Sequence, residues 1–252
     1  MLIDTHLHLD AAEFDADRAW VIRAAQAASV TRFVLPAVEI ANCGAVRDLA
    51  RQLPGSVCAF GIHPLYVNRA SDEDIGRLRD LLATREAVAV GEIGLDGHEE
   101  ETDPERQEWF FVEQLKLARE FDLPVILHVR RAQDRILKYL RRHPVRGGIA
   151  HAFNGSEQQA HAFVELGFKL GFGGAMTYAG STRIRALAAH LPLDTIVLES
   201  DAPDIPPAWA PRVRNEPANV ARFAQELAVL RQEAAGAIAE ATSANARAAL
   251  GF

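Results

Sequence analysis

Four histidines and two carboxylates stand at the ends of hydrophobic runs in this chain: His6, His8, Glu92, His128, His151 and Asp201. Imidazole and carboxylate donors suit divalent cations such as zinc, manganese or magnesium, and do not favour copper(I) or iron–sulfur chemistry. Taken singly, each residue has a plainer role. A lone His-x-His on a strand is more often structural, Glu92 could pair with an arginine, and Asp201 could cap a turn. His128 or His151 alone could be a hydrogen-bonded core histidine. Gathered at one place, the six would be costly to bury without compensation, and a metal cluster compensates them. The natural division gives one ion His6, His8 and Asp201 and the other His128 and His151, with Glu92 bridging. Each ion then keeps open positions for water and substrate. Such a shell carries a net charge of about +2, or about +1 with a bridging hydroxide, so an anionic substrate such as a phosphodiester is drawn to it. Ion affinity is expected to weaken as pH falls through the histidine range near about 6.5.

The elements that must position these residues are read from the runs themselves. Segments 2–8, 32–36, 57–63, 88–95, 125–129, 148–151, 168–173 and 195–201 are short and nearly continuous in apolarity. That is the pattern of parallel strands covered on both faces. Amphipathic stretches lie between them. Ser71 with Asp74 and Ser156 with Gln159 have capping-box spacing, and Asp103 sets a cap residue before Pro104. The alternation predicts an α/β fold, a (β/α)8 TIM-type barrel with extra C-terminal helices over 216–250.

In such a barrel the active site is built at the C-terminal strand ends. His6 and His8, two apart, point to one side of the first strand, with Asp4 one step deeper on that face. Glu92 ends the fourth strand, His128 the fifth, His151 the sixth and Asp201 the eighth. His63 ends the third before Pro64 and is expected to touch substrate or support a ligand. Arg130 could grip a phosphate through two parallel hydrogen bonds. Glu199 shares the inward face of Asp201, where it would orient a ligand. Ser156 and Ser181 are candidate caps whose helices could accept an anion. His98, His143, His161 and His190 read as surface residues, His190 suiting a helix C-terminus.

The 252 residues are 49% hydrophobic and 24% charged, which excludes a disordered or collagen-like chain and fits one barrel domain over 1–252. Cys43 and Cys58 form no close-spaced pair, so neither a disulfide framework nor a thiolate zinc site is expected. No apolar run is long enough to cross a bilayer. The opening MLIDTHLHLD has neither a basic nor an apolar leader segment, and the expected location is the cytoplasm. A net charge of -7 argues against a surface coated with positive charge for duplex binding, but not against nucleic acid held at one local site.

The motifs DTHLH, GIHP, GEIGLD, LPVILHVR, HAFNGS and ESDAP, in that order, closely resemble the TatD family of metal-dependent hydrolases, its YjjV-type members above all. The likeness spans essentially the whole chain. It implies a barrel related to the amidohydrolase superfamily and a site for two divalent ions. Residue by residue, the family's ligands fall on His6, His8, Glu92, His128, His151 and Asp201. Three positions depart from the family habit: Ser200 where threonine is usual, Val129 where serine is common, and Asn154 where serine is frequent. None is a ligand. The resemblance also implies a deoxyribonuclease that trims single-stranded DNA from 3′ ends. The ion pair would generate the nucleophile, and Asp201 would serve as general base and then acid. Two rivals stand beside this reading. One is a hydrolase of carboxylic esters (aminoacyl-tRNA, lactones) or amides on the same scaffold. The other is a non-catalytic metal-binding interaction module.

Overall fold

A computed structural model describes residues 1–98 and 103–252 of the chain. The strands are β1 (Leu2–Asp4), β2 (Val30–Pro36), β3 (Val57–Phe60), β4 (Ala87–Asp96), β5 (Val125–Arg130), β6 (Gly148–Ala150), β7 (Phe168–Phe172) and β8 (Ile196–Leu198). They pair in parallel in sequence order. The two edges meet where the Thr5 N–H and hydroxyl both donate to the Leu198 carbonyl. The helices are α1 (Arg18–Ala27), α2 (Cys43–Gln52), α3 (Asp74–Ala83), α4 (Pro104–Glu120), α5 (Gln133–Arg142), α6 (Glu157–Glu165), α7 (Thr182–His190), α8 (Asn219–Arg231) and α9 (Ala235–Leu250). The fold is a (β/α)8 barrel, as the alternation of apolar runs predicts. Of the two C-terminal helices, α8 is the eighth of the barrel and only α9 is additional.

Two apolar layers hold this together. Leu35, Phe60, Val90, Leu127, Leu170 and Leu198 point outward into a continuous core beneath the helices. Ile3, Val34, Ala59, Ala89, Ile126, Ile149 and Val197 point inward and form a separate cluster with Ala246 and Leu250 of α9. Thus α9 closes the N-terminal end of the barrel. Its Asn245 amide donates to the carbonyls of Leu193 and Ile196, and the Ser243 hydroxyl donates to Met1.

Local signals place several of these elements. Asp103 accepts the N–H groups of Glu105 and Arg106 at the start of α4, with Pro104 as the first helical residue. Ser156 and Gln159 form a reciprocal capping box on α6. Asp74 accepts the Ser71 N–H but lies inside α3, and Ser181 makes no side-chain cap on α7. No helix among the described residues is long and apolar enough to cross a membrane.

Candidate metal centre

Strands β1, β3, β6, β7 and β8 stop earlier than their apolar runs, so much of the chemistry sits in the first residues beyond them, whereas Glu92 does not end β4 but lies within it and His128 lies within β5. His6 and His8 follow β1, His63 follows β3, His151 follows β6, and Glu199 and Asp201 follow β8. Irregular backbone bonds hold these stretches. Leu7 N–H donates to Val34, His8 N–H to Ala202, and Asp201 N–H to His6. Asp201 has φ +57, a left-handed conformation that aspartate tolerates better than most residues.

Glu92 lies at the middle, 1% exposed, and its two oxygens face different partners. Oε2 lies 3.1 Å from His6 Nε2 and 3.6 Å from His8 Nε2, and both imidazoles approach Asp201 Oδ1 at 3.7 and 3.9 Å. Oε1 lies 3.1 Å from His128 Nδ1, 3.4 Å from His63 Nε2 and 3.6 Å from His151 Nε2. The His151 ring also stacks on His6 with centroids 3.8 Å apart, so it stands between the two halves. Gly61 makes the gathering possible, because a Cβ there would run into the backbone of Gly91 and Glu92.

These donors fit a cation better than they fit one another. His6 Nε2 and Glu92 Oε2 are buried and face each other without hydrogen-bond geometry, and neither has another hydrogen-bond partner among the described residues. Two such orphaned groups are costly unless something else binds both. Every sequence-predicted ligand is present in the cluster. Asp4 is not. Its carboxyl accepts the Ser200 N–H and hydroxyl and the His6 N–H, and the Ser200 hydroxyl in turn accepts the Ala202 N–H. Either serine or threonine supplies that hydroxyl.

Two carboxylates behind the centre orient its imidazoles. Glu199 Oε1 lies 3.2 Å from His151 Nδ1 and also accepts the Ala152 N–H at 2.5 Å. Gly171 leaves room for this carboxylate, since a Cβ there would overlap it. Asp96, not singled out from the sequence, is its counterpart: Oδ2 lies 2.9 Å from His128 Nε2. A carboxylate on the far nitrogen leaves the near nitrogen's lone pair for the centre. Its signal was available, because Asp96 closes GEIGLD four residues after Glu92. Arg130 stands 3.8 Å from Asp96, at the rim of a cleft of about 1250 Å³ over the centre. Arg131, Arg183, His98 and Asn154 line the same cleft. His143 and His190 lie at the C-terminal ends of α5 and α7, and His161 lies exposed on α6.

Burial and charge divide the imidazoles. Burial, with His151 nearby, pushes His6 down to about 3, and burial likewise pushes His63 down to about 4. At His151 burial opposes the charge, but Asp201, Glu199 and Glu92 outweigh it and carry the ring up to about 10. Glu92 stays well below the usual carboxylate range, because His6, His63 and His151 overcome its burial. Asp201 is pushed up to about 6 by burial against the opposing charge of His151 and His8. A divalent ion using His151 must therefore displace a proton the metal-free protein holds until about pH 10. Proton release should persist at pH 8, and affinity should keep rising with pH well above the ordinary histidine range. Calorimetric zinc titrations in two buffers of different ionisation enthalpy measure this. About one proton released per chain at pH 8 is expected, where an unperturbed histidine would release almost none.

Known proteins match this chain over nearly its whole length. A family model described as TatD related DNase matches residues 3–251. The metal-dependent hydrolase YjjV of Escherichia coli K12 is 43% identical over 242 residues, covering 95% of this chain and 93% of that protein. The crystal structure of YjjV superposes with a TM-score of 0.96 at 40% identity, covering 100% of this chain and 98% of its own. A Cronobacter sakazakii protein named 3′-5′ ssDNA/RNA exonuclease TatD is 34% identical over 254 residues, with 97% of this chain and 96% of its own covered.

Proposed function

Since the chain belongs to the TatD-related DNase family of metal-dependent hydrolases, we propose that it is a two-metal phosphodiesterase that removes nucleotides from the 3′ end of single-stranded DNA. The observation that carries this reading is Glu92, whose two oxygens face two separate sets of donors. In this reading His6, His8 and Asp201 would hold one ion and His128 and His151 the other, with Glu92 shared between them. Bound divalent ions supply Lewis acidity at the scissile phosphate and a nucleophile at neutral pH. Asp96 and Glu199 fix the tautomers of His128 and His151. Asp201, at the rim of the centre, takes the proton of the attacking water and returns it to the leaving oxygen.

Charge supports a phosphodiester. Arg130, Arg131 and Arg183 line the cleft of a protein whose net charge is -7. Asp10, Glu13, Glu39 and Asp204 line the same cleft, so the attraction for a phosphodiester rests on bound divalent ions with these arginines beside them, while an acidic exterior repels a long duplex. The exonuclease name of the Cronobacter relative points the same way.

The test uses oligonucleotides labelled at either end, single- and double-stranded, DNA and RNA, with magnesium or manganese. Aminoacyl-tRNA and simple lactones run alongside. Stepwise release of mononucleotides from single-stranded 3′ ends is expected. Efficient ester turnover with inert nucleic acid under the same metals overturns the proposal.

A further inference from the structure

Three imidazoles face Glu92 Oε1, and their far nitrogens divide them into two kinds. His128 and His151 each turn the far nitrogen to a carboxylate, Asp96 or Glu199. His63 does the reverse. Its Nδ1 accepts the backbone N–H of Leu65 at 3.1 Å, capping the short 3₁₀ turn Pro64–Tyr66. A nitrogen that accepts a hydrogen bond carries no proton, so the proton of this ring is on Nε2. Nε2 is the atom that faces the centre, 3.4 Å from Glu92 Oε1. It has no lone pair to give a cation.

The backbone keeps the ring in this sense. His63 N–H donates to Val38, and the His63 carbonyl accepts the Tyr66 N–H. The ring lies edge-on to His128 at 4.4 Å and to Tyr66 at 6.1 Å, with the side chain 9% exposed. Turning the ring over would abandon the cap, and the other tautomer would set an Nδ1 proton against the Leu65 N–H and aim the Nε2 lone pair at a carboxylate. His63 also lines the cleft in which substrate must lie.

We propose that His63 is no metal ligand but a fixed N–H donor, which hydrogen-bonds an oxygen of the substrate as negative charge develops on it. This builds on the metal-dependent reading of the centre, though not on the identity of the substrate. Preorganised donors of this kind stabilise a transition state more than a ground state, and losing one costs roughly 10²- to 10³-fold in kcat. Glutamine carries an N–H group at a reach comparable to that of imidazole Nε2, whereas alanine carries none.

Three measurements test this. Long-range proton–nitrogen NMR on the metal-free chain should show His63 Nδ1 unprotonated and Nε2 protonated. A proton on Nδ1 overturns the proposal. Metal content of His63→Ala and His63→Gln, with melting temperature as the folding check, should equal that of the parent. Loss of an ion from folded His63→Gln makes His63 a ligand and overturns it. Finally, kcat on bis(p-nitrophenyl) phosphate should fall about 10²-fold in His63→Ala and largely return in His63→Gln, with KM little changed. Equal loss in both folded variants, or no loss in either, overturns it. The first two measurements involve no substrate, so failure of the nuclease reading leaves them intact.

Discussion

Glu92→Ala should lose both ions together and reduce turnover by roughly 10³-fold or more, the scale expected when a metal-activated nucleophile is abolished. The reason is geometric. One buried carboxylate offers Oε2 to His6 and His8 and Oε1 to His63, His128 and His151, at 3.1 to 3.6 Å. Removing it leaves converging imidazoles with no anion between them, so cations repel one another there as well as losing a ligand. Metal content after dialysis, followed by zinc titration of the metal-free variant, measures the effect. Retention of one ion at parental affinity would show that Glu92 serves a single site. Glu92→Gln gives a finer reading: one carbonyl oxygen remains, and one ion should bind more weakly than in the parent while the other is lost.

Asp201→Asn should behave differently. Turnover is expected to fall by roughly 10²-fold or more while most of the metal stays. Asparagine keeps an oxygen near His6 and His8 and tolerates the left-handed conformation at φ +57, so neither the fold nor the ligand geometry is lost. What disappears is the capacity to take a proton. In the metal-free protein burial pushes the Asp201 carboxyl up to about 6. Metal content and single-turnover rate on the same preparation separate the two properties. Near-parental turnover at full occupancy would remove Asp201 from the base role.

How far the sequence reveals such a centre depends on whether a strand keeps its period of two. Ile126 and His128 are two residues apart, Ile149 and His151 two, Ala59 and His63 four, and in each pair both side chains point inward. Simple alternation carries the inward face from the apolar floor to the chemistry. It fails on β1 and β4. Ile3 and His6 are three apart, as are Ala89 and Glu92, yet both members of each pair point inward. On β4 the register slips between Val90 and Ile93, where three residues span what β5 covers in two. One extra residue exchanges the faces of everything after it. Without the slip, Glu92 would share the outward face of Val90. A position towards the C-terminal part of an apolar run therefore located Glu92 and His6, while alternation alone would have misdirected both.

Asp96 and Asp4 show the same limit from opposite sides. Asp96 follows Glu92 by four residues and keeps the shifted face, so a reading that stops at the candidate metal ligands passes over the group that orients His128. Asp4 precedes His6 by two, but the chain leaves the regular ladder between them, and the Asp4 carboxyl turns to Ser200 instead. His63 was legible as a residue of the mouth. Its role was not, because the Leu65 N–H that fixes its tautomer belongs to a turn, not to a residue type.

The closure of the barrel by α9 has a bearing on how the protein is made. The inward ring of Ile3, Val34, Ala59, Ala89, Ile126, Ile149 and Val197 is built from residues spread over most of the chain, and it is covered by Ala246 and Leu250. The Ser243 hydroxyl reaches back to Met1, a separation of 242 residues. Contacts this distant in sequence form late and slowly. On the ribosome, every strand of the barrel has been translated before the helix that seals it. A chain whose α9 has not yet docked displays an apolar ring at its open end, the kind of surface on which chaperones act and aggregation begins. Until α9 docks, the candidate metal centre at one end sits on a barrel still unsealed at the other.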